Sequence, residues 1–241
     1  MSRIAFRPEV HGAGNVPRVG PVILAANHLS FVDSFLIPLV TPRRVSFLAK
    51  AEYFRSGNPK QWLTRAFIEG TDAIPVPRGG YRAAQASLEA ALRVLEGGGA
   101  FGIHPEGSRS RDGRLYRGRT GVAWLAIASG APVVPVAQWG AHLVLPWGAP
   151  RGMSGRIWWA IRHRPVVRVH FGEPVRFDTD QSARAVRVAT DRIMDAIVDE
   201  LRPLRADEPR LPAWTDPRRP LSTARTHRPA ARGASPLAAA E

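Results

Sequence analysis

Short apolar runs alternate with amphipathic stretches along most of this chain. PVILAAN (21–27) is a continuous apolar run of strand length, suited to a strand buried on both faces. Ser30 is placed to cap a helix over FVDSFLIPLV (31–40), and VSFLA (45–49) reads as a second strand. KQWLTRAFI (60–68) has helical character and DAIPV (72–76) is extended. YRAAQASLEAALRVLE (81–96) carries Ala84, Leu88, Leu92 and Leu95 on one face and stops at Gly97, which predicts a helix. AFGI (100–103), PVVPVAQ (132–138) and VVRVHFG (166–172) predict further strands, with helices over 119–129, ended by Gly130, and over 180–202. Strand–helix alternation of this kind implies an α/β fold: a single domain with a central mixed, mostly parallel sheet flanked by helices.

From about Arg205 the pattern fades. Residues 207–241 are rich in Pro, Arg and Ala with few large apolar side chains, so the expected division is a folded domain over 1–206 and a disordered C-terminal tail over 207–241. The longest uncharged stretch, 120–150, is broken by Gly130, Pro132, Pro135 and Gly140, so no membrane-spanning helix is expected. The first ten residues have charge and proline where a signal peptide needs an apolar run, which leads to an expectation of cytoplasmic residence.

The chain has 241 residues, 44% of them hydrophobic, enough for a substantial core. With no cysteine, thiolate metal sites, iron–sulfur clusters and a catalytic thiol are excluded. The formal charge is +14, and the tail contributes only +2 of it, so the folded body is basic and suits an anionic partner. All but Lys50 and Lys60 of the 34 basic residues are arginine, which binds phosphate in two-point contacts, although a GC-rich coding bias gives the same composition.

Three polar segments interrupt the apolar pattern. In NHLSFVD, His28 stands where a buried strand ends and Asp33 follows five positions later. On one continuous helix the two side chains would diverge. With His28 at the strand exit and Asp33 in the first helical turn, the carboxylate can hold one imidazole nitrogen and raise the basicity of the other, as a general base requires. Ser30 and Asp33 equally fit a capping box, and spacing alone leaves both readings open. The second segment is GIHPEGSRSRDGRLYRGR (102–119), a polar loop at another strand exit, where Glu106, Gly107, Ser108, Arg109 and Ser110 are placed to face a ligand; a solvated charged turn is the plainer alternative. Arg78 follows the strand 72–76 as a third candidate anion ligand.

Taken together these segments resemble the glycerophosphate and lysophosphatidate acyltransferase family. Asn27-His28-Leu29-Ser30-Phe31-Val32-Asp33 matches its Asn-His-x-Ser-x-x-Asp block. Arg78 matches an arginine after a short strand, and His104-Pro105-Glu106-Gly107-Ser108-Arg109-Ser110 matches its Phe-Pro-Glu-Gly-Thr-Arg-Ser block. Ala131–Val136 and FGEPV (171–175) match its later apolar block and last core strand, so the resemblance covers roughly 15–200. His104 in place of Phe and Ser108 in place of Thr are departures.

The resemblance implies transfer of a fatty acyl group from a thioester, carried by coenzyme A or acyl carrier protein as co-substrate, to a lysophospholipid hydroxyl. The acceptor it favours is 1-acylglycerol-3-phosphate, giving phosphatidate; another glycerolipid or a glycolipid is the alternative. It implies His28 as general base, Asp33 as its holder, Arg78 and Arg109 on the acceptor phosphate with Gly107 and Ser108 beside them, and Glu106 orienting the site, with no cofactor and no metal. Peripheral association with the inner face of the cell membrane is expected. Trp147, Trp158 and Trp159 interleave with Arg151, Arg156, Arg162 and Arg164, as an anionic lipid surface favours, while Trp124 and Trp139 are expected in the core. Two other classes fit parts of the sequence. A nucleic-acid-binding module suits the charge but lacks any recognisable motif, so no nucleic acid is expected. A metal hydrolase on His28, Asp33, His104 and Glu106 lacks zinc-helix spacing.

Overall fold

The computed structural model describes residues 7–30, 32–50, 73–76, 80–110, 112–144 and 162–206. Arg78, the segment 60–68, Trp147, Trp158, Trp159, Arg151, Arg156 and the tail 207–241 lie outside the described residues. In chain order the strands are β1 (Arg7–His11), β2 (Val22–Ala26), β3 (Val45–Lys50), β4 (Ile74–Val76), β5 (Ala100–Ile103), β6 (Val133–Trp139) and β7 (Val166–Phe171). The helices are α1 (Asp33–Val40), α2 (Gly80–Glu96), α3 (Gly121–Ser129), α4 (Ala141–Val144) and α5 (Ala183–Leu204). The described strands form one sheet in the order β1-β7-β6-β2-β5-β3-β4. Every neighbouring pair is parallel except β6 and β7, so the sheet is mixed and mostly parallel as the alternation implies.

β2 lies at the centre, buried along its whole length. Val22, Leu24 and Ala26 pack on one face with Leu36 and Ile37 of α1. Ile23 and Ala25 pack on the other with Ala91 and Leu95 of α2, Val122 and Leu125 of α3, and Ile193 and Ile197 of α5. Two-sided burial explains why β2 reads as an unbroken apolar run rather than an alternating one. Trp139 is buried and Trp124 half-buried, in the core as expected.

Several local expectations change. The helix after β2 begins at Asp33, with Val32 rather than Ser30 as its cap; the Ser30 hydroxyl instead accepts from the Val32 amide at 3.3 Å. α5 begins at Ala183, because Ser182 caps it by accepting from the Ala185 amide at 3.2 Å. Ala84 is exposed, and the inward face of α2 is made by Leu88, Ala91, Leu92 and Leu95. β1 carries no apolar run, and α4 is a single turn, too short to show a helical period. β1 is an edge strand whose Arg7, Glu9 and His11 are exposed, and it forms because β7 supplies a parallel partner across the long gap in sequence. FGEPV ends in a bridge, Val175 pairing with Val133, beyond β7 proper.

Candidate active site

β2, β5 and β6 run parallel, so their carboxyl ends share one edge of the sheet. The chain leaves β2 through α1 on one face and leaves β5 towards α3 on the other, which opens a crevice between the two exits. Asn27 marks the end of β2. Its side chain donates to the Gln138 carbonyl at 3.0 Å and accepts from the Gln138 amide at 2.7 Å, continuing the β2–β6 ladder by side-chain mimicry. The next residue, His28, is therefore delivered at a fixed point on the crevice.

The loop after β5 then clamps His28 by its backbone. The His28 amide donates to Glu106 Oε1 at 2.8 Å, and the His28 carbonyl accepts from the Ser110 amide at 2.7 Å. The other Glu106 oxygen accepts from the Tyr116 amide at 2.7 Å. Glu106 is buried and faces these two amides, so it ties the two loops together behind the crevice instead of lining it. Burial pushes its carboxyl up to about 8, against the pull of the Tyr116 and His28 amides. Glu106→Gln would present an N–H₂ group to one of those amides in place of an acceptor. A buried donor left unpaired costs about 1–3 kcal/mol, and a loss of that size in urea unfolding is the expected outcome for this variant.

The His28 side chain turns back onto α1. Its Nδ1 lies 3.1 Å from Asp33 Oδ2. The same carboxylate oxygen accepts from the Leu29 amide at 2.6 Å and the Ser30 amide at 2.7 Å. Half of the capping box is present, since Asp33 accepts from the Ser30 amide while the Ser30 hydroxyl goes to Val32, and the same oxygen also meets the imidazole. The Asp33 side chain is fully buried, while that of His28 keeps 16% of its surface exposed. Burial, followed by the charge of Arg109, lowers the His28 pKa to about 4. Burial raises Asp33 to about 6, opposed by the Ser30 and Leu29 amides and by His104 and His142. At neutral pH the pair therefore stands as carboxylate and neutral imidazole. With Nδ1–H given to Asp33, Nε2 is the basic nitrogen. Protonation of the coupled pair in acid removes that state, so its proton-accepting form is present above about pH 6 and lost below it.

Gly107, Ser108 and Arg109 are exposed on the loop beyond Glu106. Gly107 adopts φ +70°, a left-handed conformation that glycine takes without the Cβ penalty of other residues, and the Arg119 side chain packs over it. The guanidinium of Arg109 is near enough for its charge to act on His28. Ser110 is buried, with its hydroxyl donating to Asp112 Oδ1 at 3.1 Å, so it shapes the loop and does not face the crevice.

Sequence reasoning gave no role to Ser34, Asp112 or His142. Asp112 Oδ1 also accepts from the Arg114 amide at 3.1 Å and the Tyr116 hydroxyl at 3.3 Å. Burial works upward on Asp112, and these hydrogen bonds outweigh it to hold the carboxyl below its usual range. The four residues of the metal-hydrolase alternative do not converge on a cation position. His104 has both ring nitrogens in hydrogen bonds, and each Glu106 oxygen accepts a backbone amide.

The profile of the family described as acyltransferase matches residues 7–139, more than half of the chain and inclusive of β2, the His28–Asp33 loop and the loop after β5. The chain belongs to the acyltransferase family. It is 25% identical over 162 residues to a chloroplastic 1-acyl-sn-glycerol-3-phosphate acyltransferase of Brassica napus, covering 67% of this chain and 45% of that relative. It is 31% identical over 137 residues to the human 1-acyl-sn-glycerol-3-phosphate acyltransferase alpha, covering 54% of this chain and 45% of that protein. The chain thus spans under half the length of these curated relatives. The crystal structure of a 1-acyl-sn-glycerophosphate acyltransferase from Thermotoga maritima superposes with a TM-score of 0.61 at 25% identity, covering 86% of this chain and 76% of that one. The mixed seven-stranded sheet of this acyltransferase thus has a solved counterpart.

Proposed function

We propose that this acyltransferase moves a fatty acyl group from a thioester to the hydroxyl of 1-acylglycerol-3-phosphate, giving phosphatidate. The observation that carries the reading is the His28–Asp33 pair at 3.1 Å on the carboxyl edge of the sheet, with Arg109 acting on it. His28 Nε2 takes the proton of the acceptor hydroxyl as its oxygen attacks the thioester carbonyl. Asp33 holds the ring and stabilises the imidazolium that forms. The carbon–sulfur bond breaks, and the proton passes from His28 to the departing thiolate. The chain lacks cysteine and a Gly-x-Ser-x-Gly elbow, so direct transfer without an acyl-enzyme is the simpler route. Arg109, joined by Arg78, holds the acceptor phosphate. The relatives' names, which specify this acceptor, support the choice.

The donor is an acyl thioester of coenzyme A or of acyl carrier protein; both are anionic and suit the basic body. The enzyme works at the inner face of the cell membrane as a peripheral protein. No helix among the described residues is long and apolar enough to cross a membrane. Exposed Leu39 and Leu143, on the two helices packed over one face of the sheet, and the Trp–Arg segment beyond α4 support surface contact. The test is a mass-spectrometric screen of lysolipid acceptors with both donors, on liposomes with and without anionic lipid. Phosphatidate from 1-acylglycerol-3-phosphate is the expected product. Acylation of a glycolipid or of a phosphate-free monoacylglycerol in its place would overturn the acceptor assignment.

A further inference from the structure

The second histidine of the crevice has a geometry that the proton transfer does not use. The His104 ring lies flat on the His28 ring, with centroids 3.9 Å apart and planes 6° from parallel. Both of its nitrogens are tied. Nδ1 is 3.0 Å from the carbonyl of Ala26, the last residue of β2, and Nε2 is 3.1 Å from the hydroxyl of Ser34, the second residue of α1. A carbonyl only accepts, so Nδ1 carries the proton, and Nε2 of the neutral ring accepts from Ser34. Burial, then the neighbouring His28, lowers the His104 pKa to about 3, which keeps this ring uncharged beside a base that becomes cationic during the reaction. Phe47 supports His104 from β3, its ring centroid 5.7 Å away, and reaches there because β5 has Gly102 beneath it; a Cβ on Gly102 would lie 2.0 Å from the Phe47 ring.

Among the described residues the His28 side chain makes one hydrogen bond, from Nδ1 to Asp33, and a single hydrogen bond leaves a ring able to swing about its own axis. A parallel ring against its face removes that motion. We propose that His104, tethered by Ser34 and by the Ala26 carbonyl, is the positioning residue that fixes the plane of the His28 imidazole and so the direction of Nε2. Phenylalanine, the residue typical of the resembling block, would supply the face without the tethers. His104 ties the end of β2 to the start of α1, the same two points that His28 and Asp33 join.

This inference rests on the proposed acyl transfer by His28. Its test is steady-state kinetics of the full chain with 1-acylglycerol-3-phosphate and an acyl thioester, for His104→Ala, His104→Phe, Ser34→Ala and His28→Ala, each with a thermal melt. Because small misplacements of a reacting group cost up to about 10²-fold, His104→Ala is expected to lower kcat by about 10–10²-fold with KM within about threefold. His104→Phe restores part of that loss, and Ser34→Ala lowers kcat by roughly threefold with KM unchanged. A folded His104→Ala protein with wild-type kcat, or losses confined to KM, would overturn the proposal. If His104→Ala does not fold, unchanged kcat in both His104→Phe and Ser34→Ala overturns it equally. Wild-type turnover by His28→Ala would instead sink the reading beneath it. Loss in His28→Ala with none in the His104 and Ser34 variants would sink this inference alone.

Discussion

His28→Ala is expected to reduce acyl transfer by about 10²–10⁴-fold, the range that a positioned general base contributes. Folding should change little. The backbone of His28 makes the contacts that hold the loop, to Glu106 Oε1 and from the Ser110 amide, and alanine keeps both. The ring is partly exposed, so its removal leaves no sealed apolar cavity. The variant therefore separates chemistry from structure. A normal melting transition with kcat reduced a hundredfold or more is the expected result, read from the initial rate of phosphatidate formation. A folded variant at near-normal rate would remove His28 from the mechanism.

Asp33 gives the second large effect, and its two variants should differ in kind. In Asp33→Asn the Leu29 and Ser30 amides, both within 2.7 Å of the present Oδ2, select the amide oxygen for that position. An N–H₂ group there would face two donors. The oxygen still accepts from His28 Nδ1, so the tautomer survives; the negative charge is lost, and the N–H₂ takes the buried place of Oδ1, which has no hydrogen-bond partner among the described residues. Hydrogen bonds to charged groups are worth about 1.5–3 kcal/mol, so the expected loss in kcat is about 10–10²-fold. Asp33→Ala removes the acceptor altogether. It releases the ring, orphans two amides at about 1–3 kcal/mol each, and should lose both stability and activity. Urea unfolding beside initial rates checks the contrast; an Asp33→Asn protein with wild-type kcat would contradict it.

The fold was legible where burial dictated sequence. β2 is apolar throughout because both of its faces are covered, and α2 shows its inward stripe in Leu88, Leu92 and Leu95. β1 was not legible. Its residues are polar and mostly exposed, and its place is set by a partner strand more than 150 residues away in register. The blocks around His28 and Glu106 also stood out, since charged residues at strand exits interrupt an otherwise apolar rhythm. What each of them touches did not. Glu106 reads as a ligand-facing carboxylate until the fold brings it to the amide of His28 across 78 residues. Asp33 reads as either cap or holder of the imidazole because one of its oxygens accepts the Ser30 amide and also meets the His28 ring. Ser34 and His104 could not be paired from sequence, because β2 and β5 must first be laid side by side.

The proposed transfer requires a neutral imidazole at position 28, with its proton on Nδ1 against Asp33 and Nε2 offered to the acceptor hydroxyl. Nitrogen NMR of histidine-labelled protein, with His28 assigned by its absence from the His28→Ala spectrum, reads that proton directly. At neutral pH the expected spectrum has a protonated Nδ1 and an unprotonated Nε2, and the ring should stay neutral below the ordinary histidine value of 6.5. A His28 ring protonated on Nε2 at neutral pH, or carrying both protons there, would contradict the assignment.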